Sequence, residues 1–358
     1  MPARLGRIGK RWPIWPERWG CRRSRRNGKL PWPDAGLEVA RSVIVIFLLL
    51  TGMAYMTWFE RRVIGRLQVR LGPNRVGVGG LLQPLADALK LFFKEDIRPS
   101  RADWLLFPLA PAISLFAAIA AFAVIPFGPS VAVAGVTMPG AVAGLSVGLL
   151  YLVGVSSLGV YGLVLGGWAS GSKYSLIGGL RAAAQVVSYE LILGMALVSV
   201  AIVAGTLSLD GIVGGQANRL PYVILQPLAF LLYLVAAVAE TNRAPFDLPE
   251  ADTELVAGYH TEYGGMRFAM FFIAEYINVI TVSALAATMF FAGWSGPILP
   301  GPHWLFIKML VFLFLFVWLR ATLPRLRYDQ LMRLCWSVLL PLALLNLLAT
   351  AIAVAALG

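Results

Sequence analysis

Eight runs of apolar residues, each long enough or nearly long enough to cross a hydrocarbon layer, take up most of this chain. They lie at about 38 to 59, 104 to 125, 141 to 166, 185 to 206, 222 to 239, 268 to 291, 304 to 319 and 335 to 357. A bilayer core of about 30 Å needs about 20 helical residues. Inside lipid only helices or closed barrels satisfy the backbone, and continuous runs without period-2 alternation read as helices. The 358 residues are 59% apolar and 13% charged, with a mean hydropathy of +0.76, which excludes a soluble globular class. The expected fold is all-α, a polytopic membrane protein of about eight transmembrane helices with no soluble domain between them.

Charge gives the orientation. The loops after runs one, three, five and seven hold Arg61, Arg62, Arg66, Arg70, Arg75, Lys90, Lys94, Arg98 and Arg101, then Lys173 and Arg181, then Arg243 and Arg267, then Arg320, Arg325, Arg327 and Arg333. The opposite loops hold only Arg219 and Lys308. By the positive-inside rule the first set faces the cytoplasm, or the matrix if the chain is organellar. Residues 1 to 29 contradict this, with ten Lys and Arg against one Glu and with Trp12, Trp15 and Trp19 interleaved. A mis-set start, a targeting segment and an arm lying on anionic headgroups compete to explain them. Residues 1–36 are therefore set apart as a basic extension of unknown role, and 37–358 as one membrane domain.

Several chemistries are excluded. Cys21 and Cys335 stand far apart with no CxxC neighbour, so the chain by itself builds neither an iron-sulfur cluster nor a structural zinc site. His260 and His303 form no HExxH. "GGWASGSKYS", Gly166 to Ser175, lacks the Gly-Lys-Ser/Thr order of a phosphate loop, and no GxGxxG follows a strand. No metal site, nucleotide site or nucleic-acid partner is expected.

What remains is acid. "AETNRAPFDLPEADTELVAGYHTEYGGMRF", Ala239 to Phe268, places six of the chain's 18 carboxylates between Glu240 and Glu262. Its Pro245, Phe246, Leu248 and Pro249 interrupt the polar run, so the segment is expected to fold back on the helices. Its acids would then be partly desolvated and coupled in titration. A solvated loop docking a basic partner would share the composition. Two further acids lie inside apolar runs: Glu190 is nine residues beyond Arg181 and Glu275 eight beyond Arg267. At 1.5 Å per residue both sit about 12 to 14 Å from the same membrane face. An ionised carboxylate there costs at least ~2.5 kcal/mol, so such residues face a protein interior or a wet cavity. One neutral acid bonded to Ser188, Tyr189 or Tyr276 would serve packing alone; two at matched depth below an acidic loop point to a hydrated proton path. In the first loop, Leu81, Leu85, Leu89 and Phe92 recur at helical spacing opposite Gln83, Asp87, Lys90 and Lys94. This is an amphipathic interfacial helix, suited to anchoring, sealing or admitting an amphiphilic ligand.

"ERRVIGRLQVRLGPNRVGVGGLLQPLADALKLFFKED", "GWASGSKYSLIGGLRAAAQVVSYE", "AETNRAPFDLPEADTELVAGYHTEY" and "AEYINVI" together resemble the H subunit of NADH-quinone oxidoreductase, respiratory complex I, the counterpart of mitochondrially encoded subunit 1. The resemblance runs from about Leu37 to the C-terminus. It implies an eight-helix core subunit where membrane and peripheral arms of a proton-translocating enzyme meet and where quinone, its substrate, is reduced. NADH, FMN and iron-sulfur clusters would belong to the other subunits. The site would be the bacterial plasma membrane, or the mitochondrial inner membrane if the chain is organellar.

Position by position, the resemblance puts Glu190, Glu240, Glu250, Asp252, Glu254 and Glu275 in the proton path. Many relatives have Glu where Asp252 stands. It puts Glu60, Arg61, Asp87 and Phe246 near the mouth of the quinone chamber, with Phe268 and Phe272 facing the quinone tail. A membrane subunit of a hydrogenase-type or other non-NADH complex, or a stand-alone proton or cation transporter, remains as an alternative. No repeat of the transporter kind is found.

Overall fold

The computed structural model describes residues 32–129, 131–133, 136–138, 140–217, 220–247, 256–297 and 300–357. Every apolar run forms helix. In chain order these are α1 (Trp32–Leu67), the interfacial α2 (Gln83–Phe93), α3 (Leu106–Phe122), α4 (Gly148–Ser156), α5 (Leu158–Ala169) and α6 (Lys173–Ala204). There follow α7 (Leu209–Gln216), α8 (Tyr222–Leu225), α9 (Pro227–Glu240), α10 (Gly265–Phe290), α11 (Pro302–Thr322), α12 (Tyr328–Leu334) and α13 (Leu340–Leu357), a π turn at Cys335–Leu339 joining the last two. Among the described residues, six spans are long and apolar enough to cross a membrane: Glu38–Leu67, Gly148–Ala169, α6, α10, α11 and Tyr328–Ala356. The shorter apolar helices are α3 and α9, of 17 and 14 residues. Together they account for the eight expected runs. One short antiparallel hairpin, β1 (Val131–Val133) with β2 (Val136–Met138), joins this all-α framework in a connecting loop.

Loop contacts sort the connections into two ends of the bundle. At one end Asp103 N donates to Ala169 O at 3.0 Å, Arg267 Nε pairs with Asp96 Oδ2 at 3.0 Å, and Leu326 N donates to Pro245 O at 3.0 Å. At the other, Leu149 N donates to Leu207 O at 3.0 Å and Gln216 Oε1 accepts from Ala292 N at 3.0 Å. The charged loops thus gather at one end, as alternating passage of eight helices requires. Asp103 caps α3: its Oδ1 accepts from the N–H groups of Leu106 and Leu105 at 2.9 Å, and these hold its carboxyl below the usual range. At the opposite end Lys308 Nζ donates to the carbonyls of Phe291, Gly293 and Ser295 at 2.6 to 2.8 Å, supplying a cation where the α10 dipole is negative.

α6 and α10 form the centre: 56% and 67% of their spans are buried in the chain, against 17% for α1, which presents its apolar side chains outward. Their buried residues are rich in Ala, Ser and Gly, which let helices approach closely where lipid supplies no hydrophobic drive. α5 presses on α3 so tightly that a Cβ on Gly162 would stand 2.0 Å from Ser114 Oγ.

Two helices are interrupted. The third span breaks between α4 and α5 at Ser157, where the Ser156 hydroxyl donates back to Val153 O at 2.9 Å, a bond that bends helices. Before α9 the chain turns at Gln226, whose φ of −132° and ψ of 58° are not helical. Its amide meets Thr350 Oγ1 at 3.0 Å, so the freed backbone lies beside a polar neighbour rather than lipid.

Candidate functional site

The acid-rich connection folds inward at its first residues. Thr241, Arg243 and Phe246 are buried, and the turn from Ala239 to Phe246 is hydrogen-bonded to α6 through Gln185. Its leading acids therefore lie inside the bundle, as the prolines and Phe246 suggest. Residues 248–255 fall outside the described residues, and with them Glu250, Asp252 and Glu254.

Around Arg243 the structure assembles charges from four separate stretches. Its Nε stands 2.9 Å from Glu275 Oε1 and its Nη1 3.6 Å from Glu60 Oε1. Its guanidinium lies over the Tyr276 ring at 4.2 Å. Glu60 also bonds Arg320 of α11, and its Oε2 accepts the Tyr276 hydroxyl at 2.7 Å. Burial works against the Arg243 cation, but Glu275, Tyr276 and Glu60 outweigh it and hold the guanidinium protonated, above its usual range. Two carboxylates and two guanidiniums so arranged neutralise each other in a region where a lone charge would not persist.

Among the described residues, two of the cavities beside this cluster matter for its chemistry. One, about 550 Å³, is lined by Glu60, Arg61, Ile64, Arg70, Leu71, Phe272, Tyr276 and Arg320. Its size suits a small-molecule cleft, with an apolar wall on one side and charged groups on the other. The second, about 50 Å³, lies between Glu240 and Glu275, with Ser114, Ser156, Thr241, Asn242 and Asn278 among its walls. A water needs about 10 to 15 Å³ and two to four polar partners, so this space has room for a few waters. Beyond it, Glu240 interacts with the charge of Glu190, and Glu190 accepts the hydroxyl of Ser157 at the break in the third span. Glu240 Oε2 is buried with no hydrogen-bond partner among the described residues. A polar file thus runs from the larger cavity through Glu60, Arg243 and Glu275 to the small cavity, Glu240 and Glu190.

Glu60, Arg61 and Phe272 line the larger cavity, and Phe268 stacks on Phe272 with ring centres 6.0 Å apart, one turn along α10. Asp87 is joined to the cavity wall through Arg61, accepting from its Nη1 at 2.6 Å and from Gln83 at 3.0 Å. Phe246 is the correction: it lies in the core 5.7 Å from the Tyr189 ring and anchors the turn instead of facing the cavity. Matched depth was also an incomplete guide. Glu275 shares the small cavity with Glu240, while Glu190 sits beyond Glu240 against Ser157. Arg243, Arg320, Tyr276 and Ser157 were missed as site residues. The two arginines counted only as loop charges, although an acid inside an apolar helix already demands a cation, and these stand at helix ends.

This arrangement has a family. The NADH dehydrogenase family model matches residues 40–351. The H subunit of NADH-quinone oxidoreductase from Thermomicrobium roseum is 58% identical over 313 residues, covering 85% of this chain and 92% of its own. The H subunit of Syntrophotalea carbinolica and the first H subunit of Geobacter sulfurreducens are 54% and 53% identical, covering 88% and 87% of this chain and 95% and 93% of their own. The same span that carries the buried acid–arginine cluster is the span these proteins share, and the chain belongs to the H-subunit family of NADH-quinone oxidoreductase.

Proposed function

We propose that this chain is the membrane-arm subunit of a proton-translocating NADH-quinone oxidoreductase that forms part of the quinone chamber and the first stretch of the proton path. The observation that supports the reading is the succession of polar groups from the 550 Å³ cavity through Glu60, Arg243 and Glu275 to the small cavity that Glu240 lines, with Glu190 near enough for its charge to act on Glu240. Quinone is the substrate. Its ring end would meet Glu60, Arg61, Tyr276 and Arg320, and its apolar tail Phe272 and Phe268. FMN and iron-sulfur clusters belong to partner subunits of the peripheral arm, with further partners in the membrane arm. The enzyme sits in the bacterial plasma membrane. Relatives above 50% identity that bear the NADH-quinone name favour this over a hydrogenase-type complex or a stand-alone transporter.

Reduction adds two electrons and two protons to the quinone, and the electrons come from the partner subunits. Negative charge developing beside Glu60 and Arg320 in a poorly polarisable site acts strongly on the next ion pair. Arg243, shared between Glu60 and Glu275, is the group that feels both sides. As its balance between them shifts, Glu275 gains or loses stabilisation as an anion, and the waters of the small cavity connect it to Glu240 and then Glu190. Glu250, Asp252 and Glu254 belong to the same path on the aqueous side.

The test separates electron flow from coupling. Glu275→Gln keeps shape and removes a protonation site, so quinone-linked NADH oxidation should fall while oxidation by a small artificial acceptor is unchanged at equal complex content. Equal loss of both activities would refute the reading.

A further inference from the structure

Gln185 is fully buried in α6, carries no charge and touches neither cavity. Its amide nevertheless reaches the functional turn at three points. The two N–H groups of Nε2 donate to Ala239 O and Phe246 O, each at 2.7 Å, and Asn242 Oδ1 lies 3.3 Å from the same nitrogen. These acceptors bracket the segment that carries Glu240 and Arg243. Within the turn, Asn242 N donates to Ala239 O at 3.3 Å and Phe246 N to Arg243 O at 2.8 Å, but neither bond joins its two ends, and Asn242 between them holds a left-handed φ of 51°. Gln185 Oε1 has no hydrogen-bond partner among the described residues, so the side chain is oriented by donation alone.

We infer that Gln185 is a positioning residue for proton transfer: one donor on α6 holds both ends of the Ala239–Phe246 turn so that Arg243 bridges Glu60 and Glu275 while Glu240 faces the small cavity. This rests on the function proposed above. Packing alone would need only the volume of the side chain, whereas this role needs the N–H groups. The difference can be tested. A hydrocarbon of similar size leaves two buried carbonyls without their donor. A glutamate of the same shape restores a donor only when protonated, and burial among carbonyls favours that neutral form.

The experiment uses the assembled complex in native membranes, with Gln185→Leu and Gln185→Glu normalised to complex content. Proton translocation per quinone-linked turnover and the quinone KM are measured from pH 6 to 8.5. Gln185→Leu should lower quinone-linked kcat on the order of tenfold, with KM unchanged because the walls of the larger cavity lie on other elements. Activity of Gln185→Glu, divided by wild type at each pH, should rise as pH falls. Arg181 and Glu190 on α6, Glu240, Arg243 and Asp247 on the turn, and His260 on the packed loop titrate or carry charge around it; division by wild type removes their common contribution. Wild-type kcat in Gln185→Leu, or a Gln185→Glu ratio that is flat or falls toward low pH, overturns the inference. Absence of quinone-linked proton translocation in the wild type would instead overturn the function on which it rests.

Discussion

Arg243 Nε stands 2.9 Å from Glu275 Oε1, and the two side chains keep only 8% and 11% of their solvent exposure. A buried ion pair contributes little net stability over an apolar pair of the same shape, but removing one member leaves an uncompensated charge. Retaining both therefore serves the placement of charge more than the strength of the fold.

Arg243→Met should accordingly cost about 3–5 kcal/mol, because Glu275 and Glu60 lose their shared cation together. The expected observation is less assembled complex and a lower melting temperature in mild detergent. Arg243→Lys should be intermediate, since a single ammonium cannot present separate donors to Glu275 and Glu60. A Met variant that assembles and melts like wild type would contradict this.

Glu240 lines the small cavity with Glu275 and feels the charge of Glu190, so the proposed proton path treats Glu240 and Glu190 as a unit. Glu190→Gln and Glu240→Gln should each lower quinone reductase activity, on the order of tenfold, with assembly intact. The double variant should lose little more than the worse single one, because groups that act together are not additive. Multiplying losses in a double-mutant cycle would mean two separate sites.

The two-ended sorting of loops predicts labelling. In a background without Cys21 and Cys335, single cysteines at Asn74, Ser172 and Asp329 should react with an impermeant thiol reagent from one side of the membrane. One at Gly128, where nothing lies within 4 Å of an added Cβ, should react from the other. Reaction of Ser172→Cys and Gly128→Cys from the same side would end the eight-pass topology.

Asp210, in the loop helix α7, has its carboxyl pKa raised by burial, with Arg41 opposing. A raised folded value means that the ionised form costs stability. The cost is absent below about pH 4. It grows as pH climbs from the unfolded value to the folded one, and it persists above. Asp210→Asn should therefore raise the melting temperature at pH 7 to 8 and lose that advantage toward pH 4. Thermal scans across this range, with an unchanged or larger advantage at low pH, would show the sign to be wrong.

The eight helices, the interfacial α2 and the inward fold of the acidic turn were legible in the sequence because each depends on local pattern: apolar length, helical periodicity, and prolines with a phenylalanine inside a charged run. The family was legible for the same reason, in long motifs. Pairing was not. Glu60 bonds residues 216 and 260 positions away, Tyr276 and Arg320, while Arg61, its neighbour in sequence, turns about 100° around α1 and pairs with Asp87 instead. Arg243 and Arg320 have the same loop-charge signature as arginines left in solvent. Which of them turns inward is decided by where α1, α9, α10 and α11 come together, since a buried carboxylate accepts whatever cation packing brings within reach, and sequence separation carries no record of that distance.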